Sequence, residues 1–380
     1  MAGTDQILII GGGIGGLATA IALRNVGYKV AVFERVAQLR EVGAGLSLWA
    51  NAVKALKQLG LADMLKAISI PEVQGSLRTW KGAVLTTTST QELQQALGEP
   101  NLIFHRADLH TALLQALPDG VVHFGKACTG FQQDATGVTA HFADGDQVRG
   151  ALLIGADGLR SVVRAQLHGA QQPTYAGFTA WRGVIPFPPE RLLPGETWGA
   201  GAIFGQVPMS GDRVYWFAAQ TVPEGGHSPD GEKAELLRIY RGWHAPIEAL
   251  IEATPEAAIL RNDIYDRPPL HRWGEQRVTL LGDAAHPMTP NLGQGACQAL
   301  EDAVVLARCL HNQGDAVAAL RAYEAQRIPR TSFIVRQSRR VGAIGQWRQP
   351  GAVWVRNFLV KNILARIQTQ QIIRLVGYDF

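Results

Sequence analysis

Gln6-Ile-Leu-Ile-Ile-Gly-Gly-Gly-Ile-Gly-Gly-Leu-Ala-Thr-Ala-Ile-Ala-Leu-Arg-Asn25, followed by Lys29-Val-Ala-Val-Phe-Glu34, decides how the chain begins. Residues 6–10 form an apolar strand candidate, residues 14–26 repeat apolar side chains at helical spacing, and residues 29–34 read as a second strand. Gly11, Gly13 and Gly16 fall between the first strand and the helix as G-x-G-x-x-G. The first glycine permits a tight turn, the second lets backbone approach a pyrophosphate, and the third lets helix and strand pack closely. Ile14 and Gly15 open the helix, whose N-terminus presents unpaired N–H groups and a positive dipole end to phosphate. Glu34, with Arg35 after it, closes the second strand about 20 residues on, where a carboxylate accepts hydrogen bonds from a ribose diol. The composite specifies an ADP-containing dinucleotide, but it does not separate FAD from NAD.

Two later segments repeat the strand-turn-helix plan. Gly155-Ala-Asp-Gly-Leu-Arg-Ser-Val-Val-Arg164 follows the apolar run 152–156, and Ser161 is placed to cap the next helix. Asp157 reads equally well as a turn-forming residue or as a ligand contact. Gly282-Asp-Ala-Ala-His-Pro-Met-Thr-Pro-Asn-Leu-Gly-Gln-Gly295 follows the buried-strand pattern of 278–281 and precedes a long amphipathic helix. Asp283 can bind a hydroxyl, and Gly293, Gln294 and Gly295 open a helix N-terminus to a second anionic group. Pro287 and Pro290 stiffen the turn between them. That suits a flat, partly anionic ring system.

Between these motifs the chain divides into an α/β fold with a Rossmann-like cofactor domain, an inserted β-rich domain and a C-terminal helical region. The expected segments are 1–170 and 267–345 for the cofactor domain, 171–266 for the insertion and 346–380 for the terminal helices. A helix is expected over 51–59, and residues up to Pro100 are polar and without clear pattern. Asp108 reads as the N-cap of a helix to residue 117, and residues 121–148 read as an antiparallel ribbon turning at Asp144-Gly145. Pro329 and Pro350 read as helix punctuation.

At 380 residues, 47% hydrophobic and 18% charged, the chain is long enough for two or three units with a large core. A net charge of +4, with basic residues in both halves, gives no sign of nucleic-acid binding. Cys128, Cys297 and Cys309 make neither a disulfide framework nor a redox or metal pair, and no His, Cys and carboxylate cluster has metal-ligand spacing. No secretory signal and no apolar run near ~20 residues is present, so a cytoplasmic location is expected. From Arg356 to Arg374 basic residues alternate with Phe358, Leu359, Ile363, Leu364, Ile367 and Ile372. The expected role of this stripe is packing on the domain, with membrane contact as the alternative.

The three glycine and acid motifs, in this order, resemble those of the single-component FAD-dependent aromatic hydroxylases, the p-hydroxybenzoate hydroxylase family, over essentially the whole chain. The resemblance implies that Gly11, Gly13, Gly16 and Glu34 bind the ADP part of FAD. It places Asp283, Gly293 and Gly295 at the ribityl chain and flavin, and Asp157 and Arg164 at FAD and NAD(P)H. It also implies FAD contacts for Arg106 at a helix start, and for Arg40, Ala44 and Gly45 in the loop beneath the isoalloxazine. NADH or NADPH would reduce the flavin, and O2 would add at its C4a carbon. The resulting hydroperoxide would hydroxylate a small aromatic or heteroaromatic substrate, in a monomer or homodimer.

Candidates for the substrate side are Arg182 and Tyr215, if their strands turn those faces inward; a Tyr in an aromatic-rich strand otherwise serves the core. His286 reads as a hydrogen-bonded turn histidine. Ile203 stands where urate-hydroxylating relatives carry a substrate-binding Arg twelve residues before the Tyr, which argues against urate. Trp181, Gly183, Ile185 and Pro186 lack the second Trp of the halogenase signature. The absence of a Cys pair and of a second glycine fingerprint argues against a disulfide reductase. Epoxidation of a polyene or isoprenoid by the same fold is the alternative activity.

Overall fold

The computed structural model describes residues 6–38, 44–378 and 380. Five parallel strands form the central sheet, in the spatial order Val278–Leu280, Leu152–Gly155, Gln6–Ile10, Lys29–Glu34 and Val122–Phe124. Their nearly continuous apolar runs are those of strands covered on both faces. Helices Ile14–Asn25 and Gly295–Asn312 pack on each other and share one core with the sheet. The antiparallel ribbon Cys128–Gln133, Val138–Phe142 and Gln147–Gly150 adds Phe131, Val138 and Phe142 to that core. Val122–Phe124 does not belong to the ribbon as expected. It pairs parallel with Val32–Glu34, because Val121 before it is buried in the central core and draws the run to the sheet edge.

A second sheet of seven strands is built around the insertion. Its order is Leu260–Asp266, Thr174–Pro186, Arg213–Gln220, Ala202–Met209, Gly195–Trp198, Gly75–Thr79 and Val84–Thr88. The last two strands come from the polar stretch in which sequence showed no pattern. They lie at one end of the sheet and are half-exposed, so they lack the apolar alternation that marks a strand. On one face Trp181, Ile185, Phe204, Val214, Trp216 and Ala218 are buried with residues of helices Glu232–Ile239 and Ile247–Ala253. Side chains alternate across a strand, so Arg182, Val184, Val207, Tyr215 and Phe217 point the other way, and all are only partly buried. That face meets the cofactor domain, where the Tyr215 ring lies on Gly45; a Cβ there would stand 2.4 Å from Tyr215 Cγ.

Two helix expectations are corrected. His105, not Asp108, is the N-cap of helix Arg106–Gln115, because the Arg106 N–H donates to the Ala44 carbonyl at 2.9 Å and extends the helix to that point. Pro329 does not punctuate; it lies inside the 30-residue helix Ala316–Gly345. Leu320, Tyr323, Arg327, Ile334 and Val335 bury that helix on both sides of the proline, and this packing overrides the missing N–H. Pro350 does open the next helix, Pro350–Leu359. The C-terminal stripe is only half packed: Arg356 and Val360 are buried, whereas Trp354, Val355, Phe358, Leu359 and Ile363 are exposed. The helix is apolar on two sides and the domain covers one. Among the described residues no helix is long and apolar enough to cross a membrane.

Candidate active site

The glycine turn is fixed by contacts that admit no side chain. Gly11 has φ +109°, its N–H donates to the Phe33 carbonyl at 2.9 Å, and a Cβ would lie 2.3 Å from the Ala156 carbonyl oxygen. A Cβ on Gly16 would lie 2.0 Å from the Gly11 carbonyl oxygen, and one on Gly15 would strike Leu281 and Ala299. Gly13 differs, since a Cβ there meets nothing within 4 Å. It is the N-cap of helix Ile14–Asn25 and no side chain caps it; Ile14 itself is buried. Glu34 accepts from the Gly12 N–H at 2.7 Å and the Val36 N–H at 3.1 Å, which holds its carboxylate beside the turn. Arg35 is exposed next to it.

From this turn a line of contacts leads to the Gly282 segment. His110 Nε2 lies 2.6 Å from the Gly12 carbonyl, one helical turn after Arg106. Burial raises the Asp283 carboxyl pKa, and the charges of His286 and, to a lesser extent, Arg106 oppose this. Asp283 is nevertheless reachable by solvent. Helix Gly295–Asn312 begins beside it, with Gly293 at φ +61°, Gln294 as N-cap without a side-chain cap bond, and Pro290 exposed. The Gln294 Nε2 is a buried donor with no partner. Three helices of ten or more residues thus begin along the line without side-chain caps.

Asp157 has the turn-forming role. It accepts from Ser161 Oγ at 2.5 Å and from the N–H groups of Val162 at 2.7 Å and Val163 at 3.3 Å, closing the start of its own helix. Arg164 is buried and donates to the carbonyls of Ala284 at 3.0 Å and Ala285 at 2.9 Å, clamping the segment that carries Asp283. Arg40 lies outside the described residues. Ala44 contributes the carbonyl that receives Arg106.

Sequence reasoning missed a buried ionic network behind the Gly282 segment. Asp302 accepts from the Gly282 N–H at 3.0 Å, from His286 Nε2 at 2.6 Å and from Arg327 Nε at 2.6 Å. Burial pushes the Asp302 carboxyl up, and His286 and Arg327 more than reverse this, holding it at about 2. Glu301 pairs with Arg327, and with Arg330 Nε and Asn51 Nδ2 at 2.6 Å each. The signal was present: Glu301-Asp302 interrupts an otherwise apolar helix, and buried acids require partners.

On the open face of the large sheet the structure joins Tyr215 and Arg182. Burial raises the Tyr215 phenol pKa, and the nearby Arg182 charge opposes this. Arg182 also donates to Asn262 Oδ1 at 3.1 Å. Strand register places Leu77, Glu196, Gly205, Phe217 and Arg182 in one row across that face. Glu196 was not foreseen. It accepts from Trp198 Nε1 at 2.9 Å, and burial raises its carboxyl pKa. Ile203 and Trp198 form the next row, covered by Gly345 and Val360.

Comparison with known proteins agrees with this geometry. The family described as "FAD binding domain" matches residues 4–338. The chain is 45% identical to the aurachin C monooxygenase/isomerase of Stigmatella aurantiaca, covering 93% of each chain. It is 38% identical to an FAD-dependent urate hydroxylase of Klebsiella pneumoniae, covering 88% of this chain and 89% of that one. The solved structure of Klebsiella pneumoniae HpxO with FAD and uric acid superposes with a TM-score of 0.93 at 33% identity, over 99% and 97% of the two chains.

Proposed function

The chain belongs to the FAD binding domain family, whose matched relatives include FAD-dependent monooxygenases and hydroxylases, and from that premise we propose that it hydroxylates a small aromatic or heteroaromatic substrate with O2 and NADH or NADPH. The observation that carries the reading is the line from Glu34 through three uncapped helix starts to Asp283, ending under a face that bears Tyr215. A diol acceptor, an anion cradle, a second hydroxyl acceptor and a second anion cradle suit FAD in the order of its parts. The open Cβ position of Gly13, between glycines whose own positions are closed, leaves backbone free to approach a pyrophosphate.

When bound, FAD supplies electron transfer from NAD(P)H and oxygen transfer to the substrate. The protein supplies placement. Glu34 holds a ribose, the amides after Gly13 hold phosphate, and Asp283 with the Gly293–Gly295 turn holds the flavin end. Arg164 and Asp302 act as positioning residues, since they fix the segment carrying Asp283. Phe217, Val184 and Val207 exclude water from the substrate side. Tyr215, held by Arg182, orients a substrate hydroxyl, and Glu196 is the carboxylate able to take its proton. Ile203 brings no charge to that face, which favours a substrate with an apolar part over an anionic purine. Residues 171–266, completed by the strands of 75–88, serve as the substrate unit, and the protein works in the cytoplasm as a monomer or homodimer.

Purified protein should be yellow or take up FAD. NADH or NADPH oxidation should be stimulated by a member of a panel of phenolic acids, hydroxypyridines and polyenes, with stoichiometric hydroxylated product. A protein that binds no flavin sinks the proposal, and epoxide formed from a polyene replaces hydroxylation by the alternative activity.

A further inference from the structure

Charge along the chain is sharply divided. Of its 36 Lys and Arg and 32 Asp and Glu, residues 325–378 hold ten of the former and none of the latter. The rest of the chain is therefore net acidic. Within this basic segment, helix Pro350–Leu359 packs inward through Arg356, which donates to the carbonyls of Gly199 and Gly345, and through Val360 just beyond its end. Its opposite side is apolar and uncovered: Trp354 is 67% exposed, Phe358 49% and Ile363 51%, with Val355 and Leu359 between them. Trp354 and Phe358 stack at 5.6 Å and form one continuous surface. Such a patch on a folded chain marks a contact site.

We propose that this face of helix Pro350–Leu359, with the turn that follows, rests on an anionic lipid surface. Tryptophan and phenylalanine seat in the boundary between headgroups and acyl chains, and surrounding cations meet the anionic headgroups. Lys361 and Arg348 flank the helix, Arg336, Arg340 and Arg374 are exposed elsewhere in the segment, and none of the five pairs with an acid among the described residues. A second copy of the chain is the less suitable occupant, because a two-fold contact would set these basic segments against each other without acids between them. The buried side of the same segment, through Val360, reaches the apolar cluster containing Ile203 and Phe217. A lipid surface would then lie one helix away from the face assigned above to substrate; the docking itself does not depend on that activity.

The test is co-sedimentation of the full-length, FAD-loaded protein with vesicles of phosphatidylcholine alone or mixed with phosphatidylglycerol. Partitioning should be at least about tenfold greater onto the mixed vesicles and should fall at high salt. The double variant Trp354→Ser, Phe358→Ser should lose about tenfold or more of it while keeping its flavin spectrum and Tm, since both side chains are exposed. Lys361→Glu should weaken binding to the mixed vesicles alone. No binding to anionic vesicles, or binding that the double variant leaves unchanged, overturns the proposal. So does a dimer in light scattering that the double variant dissociates, because the face would then be a protein contact.

Discussion

At the scale of single residues, the two ends of the glycine turn separate folding from binding. Gly11→Ala forces a side chain onto backbone at a positive φ, so it should lower Tm by several degrees and reduce soluble yield. Gly13→Ala meets no protein atom, so Tm without cofactor should stay put while the FAD Kd, followed by flavin fluorescence, rises about tenfold or more. An equal Tm loss in both variants would count against Gly13 as a cofactor contact. For Glu196, burial raises the carboxyl pKa, and a proton acceptor works only when ionised. Rate should climb with pH through that raised pKa, and Glu196→Gln should remove the climb; a profile retained in the variant excludes Glu196 as the base. The turn glycines were legible in sequence because their spacing encodes backbone demands. Glu196 was not, since only the register of strands from 75–79, 195–198 and 202–209 brings it into a row with Phe217 and Arg182. Asp157 was left open by sequence because a turn and a ligand contact ask for the same residue type.

At the scale of elements, helix Ala316–Gly345 neutralises helix Gly295–Asn312. Arg327→Met leaves Glu301 with Arg330 as its one remaining cation among the described residues and removes a partner of Asp302, and should cost about 3–5 kcal/mol, read as a shift in the urea midpoint. A variant as stable as the parent would show that the pairs add nothing. The sign of the pH effect follows from Asp302, whose carboxyl is held at about 2 against an ordinary 3.8. Its contribution is complete above 3.8 and is lost as pH falls toward 2, so acid unfolding should begin in that window and Asp302→Asn should flatten the dependence there. The helix beginning at Gly295 was legible from its apolar spacing, and the pairing of its two acids was not, because the partner arginines lie 25 and more residues on. Pro329 misled for a related reason: a local breaker says nothing of the packing on either side of it.

At the scale of the whole molecule, the parallel sheet was legible because each strand is an apolar run bounded by a turn motif. The extent of the second sheet was hidden, since Gly75–Thr79 and Val84–Thr88 arrive from far upstream and carry no apolar alternation. A cofactor laid along three helix starts should bind the native chain and not the unfolded one. FAD at a hundredfold excess over its Kd should therefore add about 2.7 kcal/mol and raise Tm by a few degrees. An unmoved Tm under saturating flavin would show that these helix starts do not take it.

The order in which the chain is synthesised bears on that same sheet. Its first strand leaves the ribosome at residues 6–10 and its last at 278–280, and Arg327 follows later still. At about 5–20 residues per second, the nascent N-terminal half waits on the order of ten seconds or more before its final strand exists. During that interval the Leu152–Gly155 edge is unpaired, and once helix Gly295–Asn312 emerges its two acids have no cations until the next helix arrives. The candidate cofactor site is therefore a late product of translation, and a ribosome stalled before residue 327 would carry a chain whose Gly282 segment is clamped by Arg164 while Asp302, its other anchor, still lacks its guanidinium partner.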